Sequence, residues 1–272
     1  MAEVVKAKFA EVAEEEKTTL DLSWCEPKLD DSCVAPLLAG LPTSQITQIW
    51  LNNNDLSDVG VAELAAGLPG TKVNKLWMNG NKRITDDGLQ SIAEMLPQTQ
   101  IDEFWCIVGS YGDEGVRSIA AALPDSSLET LWLWSSAVGD AGVSALASSL
   151  PKCKIFEIGM GGNKVTDAGI TKIAEYLHGQ ADDDVNKLVE LYIRWNSPCD
   201  KGLELLGLAL CDAQLEKLNL ENAAITDVGL AKLMANVEKS TVSKICVNGN
   251  WEDATEGGGG EWSSWRVGTK DF

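Results

Sequence analysis

The chain has 272 residues, with 22 lysines and arginines against 41 aspartates and glutamates, for a formal charge of −19. That charge repels nucleic-acid phosphates and anionic membranes, so nucleic acid and membrane are both excluded as partners. No apolar run approaches the roughly 20 residues of a membrane span, and the acidity suits solubility and a basic protein partner.

The first residues, MAEVVKAKFAEVAEEEK, hold no apolar core of signal-peptide type and are too acidic for a transit peptide. Val4, Val5, Phe9 and Val12 fall on or near one face, which predicts a capping helix over residues 1–16. From residue 17 to 250 one pattern recurs, as about eight full units and a final strand. A short strand with alternating leucines is followed by a turn, an aspartate, a glycine and an amphipathic helix. The equivalent strand positions are Leu20, Ile49, Leu76, Phe104, Leu131, Ile158, Leu191, Leu218 and Ile245. The steps are about 27–29 residues, with one near 33. Asparagine recurs where the strand bends into the turn, at Asn54, Asn81, Asn163, Asn196 and Asn250, with Gly109, Ser136 and Ala223 interrupting the series. The aspartates that follow (Asp58, Asp86, Asp113, Asp140, Asp167 and Asp227) are expected to cap the helices and to favour the positive end of the helix dipole. That role accounts for much of the acidity without a metal site. Between His178 and Lys187 the chain carries an acidic insertion expected to be an exposed loop, and residues 251–272 form a C-terminal cap or tail in which Trp262 and Trp265 supply apolar cover.

The L-x-x-L-x-L strands, the N-x-I/L turns, the I-T-D-x-G segments (Ile84 to Gly88, Val165 to Gly169, Ile225 to Gly229) and the L-W-L-W of Leu131 to Trp134 resemble leucine-rich repeats of the ribonuclease-inhibitor-like type. The resemblance covers about residues 17–250. It implies an α/β leucine-rich-repeat solenoid, a horseshoe with a parallel β-sheet on the concave side and α-helices on the convex side. It also implies protein binding as the general function. Two specialised members of the class are an enzyme inhibitor of ribonuclease-inhibitor type and a Ran-type GTPase-activating protein. Few cysteines and no alternating repeat types weigh against the first. The second has a long acidic C-terminal tail that this chain lacks.

In register, the outward position of successive strands reads Asp21, Trp50, Trp77, Trp105, Trp132, Gly159, Tyr192, Asn219 and Cys246. Strands about 4.8 Å apart bring four consecutive indoles within stacking distance. Two residues further on, Ile107 and Trp134 widen the aromatic strip, and Arg194 and Trp195 lie beyond Tyr192. Gly159 and Gly161 leave the sixth strand without large side chains, an expected notch for one side chain of a partner. Tryptophan is enriched in interface hot spots, and a contiguous apolar patch calls for an explanation. These residues are therefore the candidate partner-binding surface.

No catalytic site is expected. There is one histidine, His178, without a nucleophile motif beside it, and Gly257 to Gly260 lacks the lysine and helix of a phosphate loop. Seven cysteines at non-equivalent repeat positions form no CxxC pair, which argues against a disulfide framework or zinc and for a reduced, cytoplasmic compartment. The sequence thus reads as a non-enzymatic, cofactor-free and metal-free binding scaffold for a protein. The main rival from the residues is a permanent structural subunit of a large complex.

Overall fold

Short strands and mostly ten-to-thirteen-residue helices alternate through the computed structural model. It describes residues 2–179, 188–198, 200–247 and 265–266. Two compact units divide the chain, residues 1–136 and 137–272. The expected acidic loop, from residue 180 onward, lies outside the described residues. So does the expected C-terminal cap, apart from a two-residue strand.

In the first unit, helix α1 (Ala2–Glu14) precedes five strands: β1 (Thr19–Asp21), β2 (Gln48–Trp50), β3 (Lys75–Trp77), β4 (Glu103–Trp105) and β5 (Thr130–Trp132). Helices α2 (Val34–Gly40), α3 (Asp58–Gly67), α4 (Asp86–Met95) and α5 (Asp113–Ala122) join them. Neighbouring strands are parallel, and Leu20, Ile49, Leu76, Phe104 and Leu131 stand in one row. All five are buried, as are the next inward residues Leu22, Leu51, Met78, Cys106 and Leu133. Each such side chain taken from water contributes roughly 1.5–3 kcal/mol. Helix α1 sets Phe9 against Gly40 of α2, where an added Cβ would come within 2.6 Å of the ring.

The second unit repeats the scheme with α6 (Asp140–Ser149), β6 (Glu157–Gly159), α7 (Asp167–His178), β7 (Glu190–Tyr192), α8 (Asp200–Ala209), β8 (Lys217–Asn219), α9 (Asp227–Val237) and β9 (Lys244–Cys246). Its strands β6 to β9 are parallel, with Ile158, Leu191, Leu218 and Ile245 in one buried row. A final strand, β10 (Trp265–Arg266), pairs antiparallel with β9.

The turn asparagines act between repeats. Asn54 Oδ1 accepts the Leu29 N–H at 3.0 Å, and its amide donates to the Leu22 and Leu51 carbonyls at 2.8 and 3.1 Å. Asn81 and Asn196 do the same one and five repeats later. Their side chains are buried, so each bond removes a polar group that would otherwise be stranded. Gly109 breaks the series, and Tyr111 compensates. Tyr111 occupies the buried site held by Leu56 and Ile84 elsewhere, and its hydroxyl donates to the Cys106 carbonyl. That carbonyl is the counterpart of those the asparagine amides hold at Leu51 and Met78.

The aspartates correct the sequence reading. The caps are Ser57, Thr85, Thr166 and Thr226, whose hydroxyls accept N–H bonds from the first turn of their own helices. Each cap is followed by an aspartate, and the carboxylates of Asp58, Asp86, Asp140 and Asp167 reach the next repeat. Asp58 accepts from Thr85 N and Oγ1, both at 2.7 Å. Asp140 accepts from Thr166 N at 2.8 Å, Thr166 Oγ1 at 2.6 Å and Gly169 N at 2.9 Å. The recurring glycine two residues after the aspartate follows from this contact. A Cβ at Gly60 would lie 2.3 Å from Asp31 Oδ1, and one at Gly88 would lie 2.5 Å from Asp58 Oδ1.

Candidate functional site

The tryptophans of β2 to β5 stand in register, Trp50 beside Trp77, Trp77 beside Trp105 and Trp105 beside Trp132. Parallel strands fix their separation, and the indoles take up that spacing by stacking. Ring centroids are 4.7, 4.5 and 4.8 Å apart, with planes inclined by 2°, 17° and 21°. Trp134, two residues along the same chain, stacks on Trp132 at 4.7 Å. Five indoles thus form one continuous column on the outer face of the sheet, each half-buried. Offset stacking contributes roughly 0.5–1.5 kcal/mol per pair.

The column is not uniformly satisfied. Trp77 Nε1 donates to Glu103 Oε1 at 2.7 Å, and Lys75 Nζ holds the other oxygen of that carboxylate at 2.5 Å. This bond raises the Lys75 pKa, against a smaller loss from burial. The residue in the corresponding place beside Trp50 is Lys75 itself, whose ammonium cannot accept a hydrogen bond. Beside Trp105 it is Thr130. The Nε1 atoms of Trp50 and Trp105 are buried and have no acceptor among the described residues. Next to the column, Asn52 Oδ1 accepts from Asn79 N, and Asn79 Oδ1 from Ile107 N, each at 3.0 Å. Ile107 is half-buried at the end of that ladder.

Residues 71–93 and 214–234 match the family model described as Leucine Rich repeat. Each matched segment covers the approach to a strand, the strand, its turn and most of the helix that follows. The fold is that of leucine-rich repeats. It is similar to a chain of the yeast Rad7 and Elc1 complex, with 15% identity and a TM-score of 0.51 over 88% of this chain and 72% of that one. An internalin from Listeria monocytogenes matches at 14% identity and a TM-score of 0.43, over 82% of this chain and 65% of the internalin. No curated protein matches the sequence.

The repeats of the second unit present a different face. Tyr192 donates to Glu190 Oε2 at 2.6 Å, while Lys217 Nζ holds Glu190 Oε1 at 2.5 Å. Burial first, and then the Glu190 bond, push the Tyr192 hydroxyl pKa well up. Arg194 pairs with Glu221 at 3.4 Å, and its guanidinium lies 4.2 Å from the ring centre of Trp195. Trp195 is 48% exposed and has a left-handed backbone, with φ of 53°. This face is polar and paired within itself, where that of the first unit is aromatic.

Gly159 and Gly161 are buried, so this strand does not offer the open notch expected from its small side chains. Gly162 has a separate cause. It occupies the left-handed turn position, at φ of 67°, that Asn53, Val108 and Trp195 fill in other repeats.

Several other reactive groups are occupied or sealed, although the Cys211 thiol is exposed. His178 Nδ1 pairs with Asp212 at 2.6 Å on the helix side of the second unit. The described cysteines are free thiols, and burial pushes Cys33 up to about 11 and Cys106 up to about 12. Such thiols are poor nucleophiles at neutral pH. Among the described residues no group of three or more His, Cys, Asp or Glu side chains is placed to hold a metal ion. No described helix is long and apolar enough to cross a membrane. Sequence reasoning missed the Lys75–Glu103 bracket and Tyr111. The first joins side chains directly opposite in register, with Trp77 reaching the same carboxylate on the diagonal, and the second is visible only as a bulky residue beside a missing asparagine.

Proposed function

We propose that this protein is a non-enzymatic interaction scaffold that holds a protein partner on the tryptophan column of β2 to β5. The observation that carries the reading is the column itself, five half-buried indoles in one unbroken stack. The hydrophobic core lies on the opposite side of these strands, so folding needs nothing so large on this one. Two buried indole N–H groups without acceptors add a cost that a purely structural column would have little reason to retain. Large, rigid indoles give contact area at small entropic expense, as interface anchors do. The net charge of −19 favours a partner with basic surface around its apolar contact.

The test is affinity capture from native lysate with the wild type and with Trp77→Ala/Trp105→Ala/Trp132→Ala, after thermal melts show that both fold. A partner retained by the wild type should be lost from the variant, with affinity falling at least about 100-fold, since hot-spot truncations cost about 2 kcal/mol or more each. Equal recovery of every partner by a folded variant would sink the proposal and leave the column as packing.

A further inference from the structure

The aromatic column stops at β1, where Asp21 stands in register with Trp50 in place of another indole. Trp50 lies almost parallel to Trp77, at 2°, so one ring face is covered and the opposite face turns toward β1. On that side lies a cleft of about 600 Å³, between α1 and the start of the sheet. Its lining includes Lys8, Glu11, Glu16, Lys17, Asp21 and Trp50.

The charges there are unequally matched. Lys8 is held by Glu11 at 2.9 Å and also lies in the field of Asp21, while Lys17 is held by Glu15. Both cations of the cleft therefore already have carboxylate partners. Asp21 accepts one backbone bond, from Ser23 N at 2.9 Å. Glu16 has no hydrogen-bond or ion-pair partner among the described residues. What remains is an indole face with carboxylates at its rim.

We propose that this cleft binds an arginine side chain of a protein partner, with the guanidinium flat on the open face of Trp50 and its charge answered by Asp21 and Glu16. A planar, weakly hydrated guanidinium suits an indole face better than the compact ammonium of lysine. The chain builds this arrangement from its own residues, where Arg194 lies 4.2 Å over Trp195 and pairs with Glu221. The idea rests on the column being a partner surface only in assigning the arginine to that same partner. The cleft itself can be tested alone.

The probe is N-acetyl-arginine amide, followed through the Trp50 indole N–H resonance in full-length protein, with Trp50→Phe assigning the signal. The expected result is a saturable shift with millimolar affinity. The neutral isostere N-acetyl-citrulline amide should bind at least about threefold more weakly, as should N-acetyl-arginine amide to Asp21→Asn/Glu16→Gln. No saturable shift, equal binding of the two probes, or binding unchanged by the carboxamide substitutions would overturn the inference. Failure here with partner capture intact refutes the arginine site alone. A bound probe with capture insensitive to the tryptophans refutes the binding column alone.

Discussion

Tyr111→Leu will destabilise the protein by about 2–4 kcal/mol, and adding Gly109→Asn will restore most of that loss. The Tyr111 ring is fully buried, and its hydroxyl serves the Cys106 carbonyl. Leucine fills only part of the space and leaves that carbonyl without its donor. Gly109→Asn alone should also destabilise, because a Cβ there would lie 2.4 and 2.5 Å from Tyr111 Cε1 and Cδ1. Together the two changes recreate the asparagine and aliphatic pair of Asn54 and Leu56, whose amide bonds run at 2.8–3.1 Å. Urea unfolding of the four proteins gives the interaction directly. A coupling of at least about 1 kcal/mol is expected, and simple additivity would show that the two positions do not exchange roles.

Gly60→Ala will destabilise by about 2–3 kcal/mol in the native background, and will be between neutral and about 1 kcal/mol stabilising when Asp31 is alanine. Gly60 lies inside α3, where alanine is intrinsically the better helix former. Its Cβ would meet Asp31 Oδ1 at 2.3 Å and Cγ at 2.9 Å. That carboxylate cannot move freely, because it accepts from Ser57 N at 2.8 Å and Ser57 Oγ at 2.5 Å. Without the carboxylate, the remaining approach is to the residue 31 Cβ at 3.1 Å, which trims the gain in helix propensity. Thermal melts of the single and double variants measure the change of sign. A Gly60→Ala cost that persists in the Asp31→Ala background would mean the glycine answers to some other constraint.

These two cases mark how far the sequence could be read. The strand register was legible because Leu20, Ile49, Leu76, Phe104 and Leu131 recur at nearly constant steps and alternate with outward residues. The tryptophan column followed from the same register. The purpose of the aspartates was not legible, since local capping rules look within a few residues and the Asp31 bonds to Ser57 span 26 positions. The spacing of aspartate and glycine was visible, but its cause lay one repeat away. The glycines at the end of β6 and just beyond it misled for a related reason. A missing side chain in the sequence says nothing about what closes over it, and Gly159 and Gly161 are buried. The cleft beside Trp50 escaped notice because α1 forms one of its walls, and helix docking leaves no periodic trace.

The connectors between repeats run both ways. An asparagine reaches back to the strand and turn before it, as Asn81 does to Leu51 and Leu56. An aspartate reaches forward, as Asp58 does to Thr85. A repeat copied in tandem would therefore arrive with both kinds of connector and find the matching groups on either side. Gene duplication could lengthen such an array one module at a time, without inventing a new joint. Gly109 and Tyr111 form the exception, a paired variation that has to be inherited together.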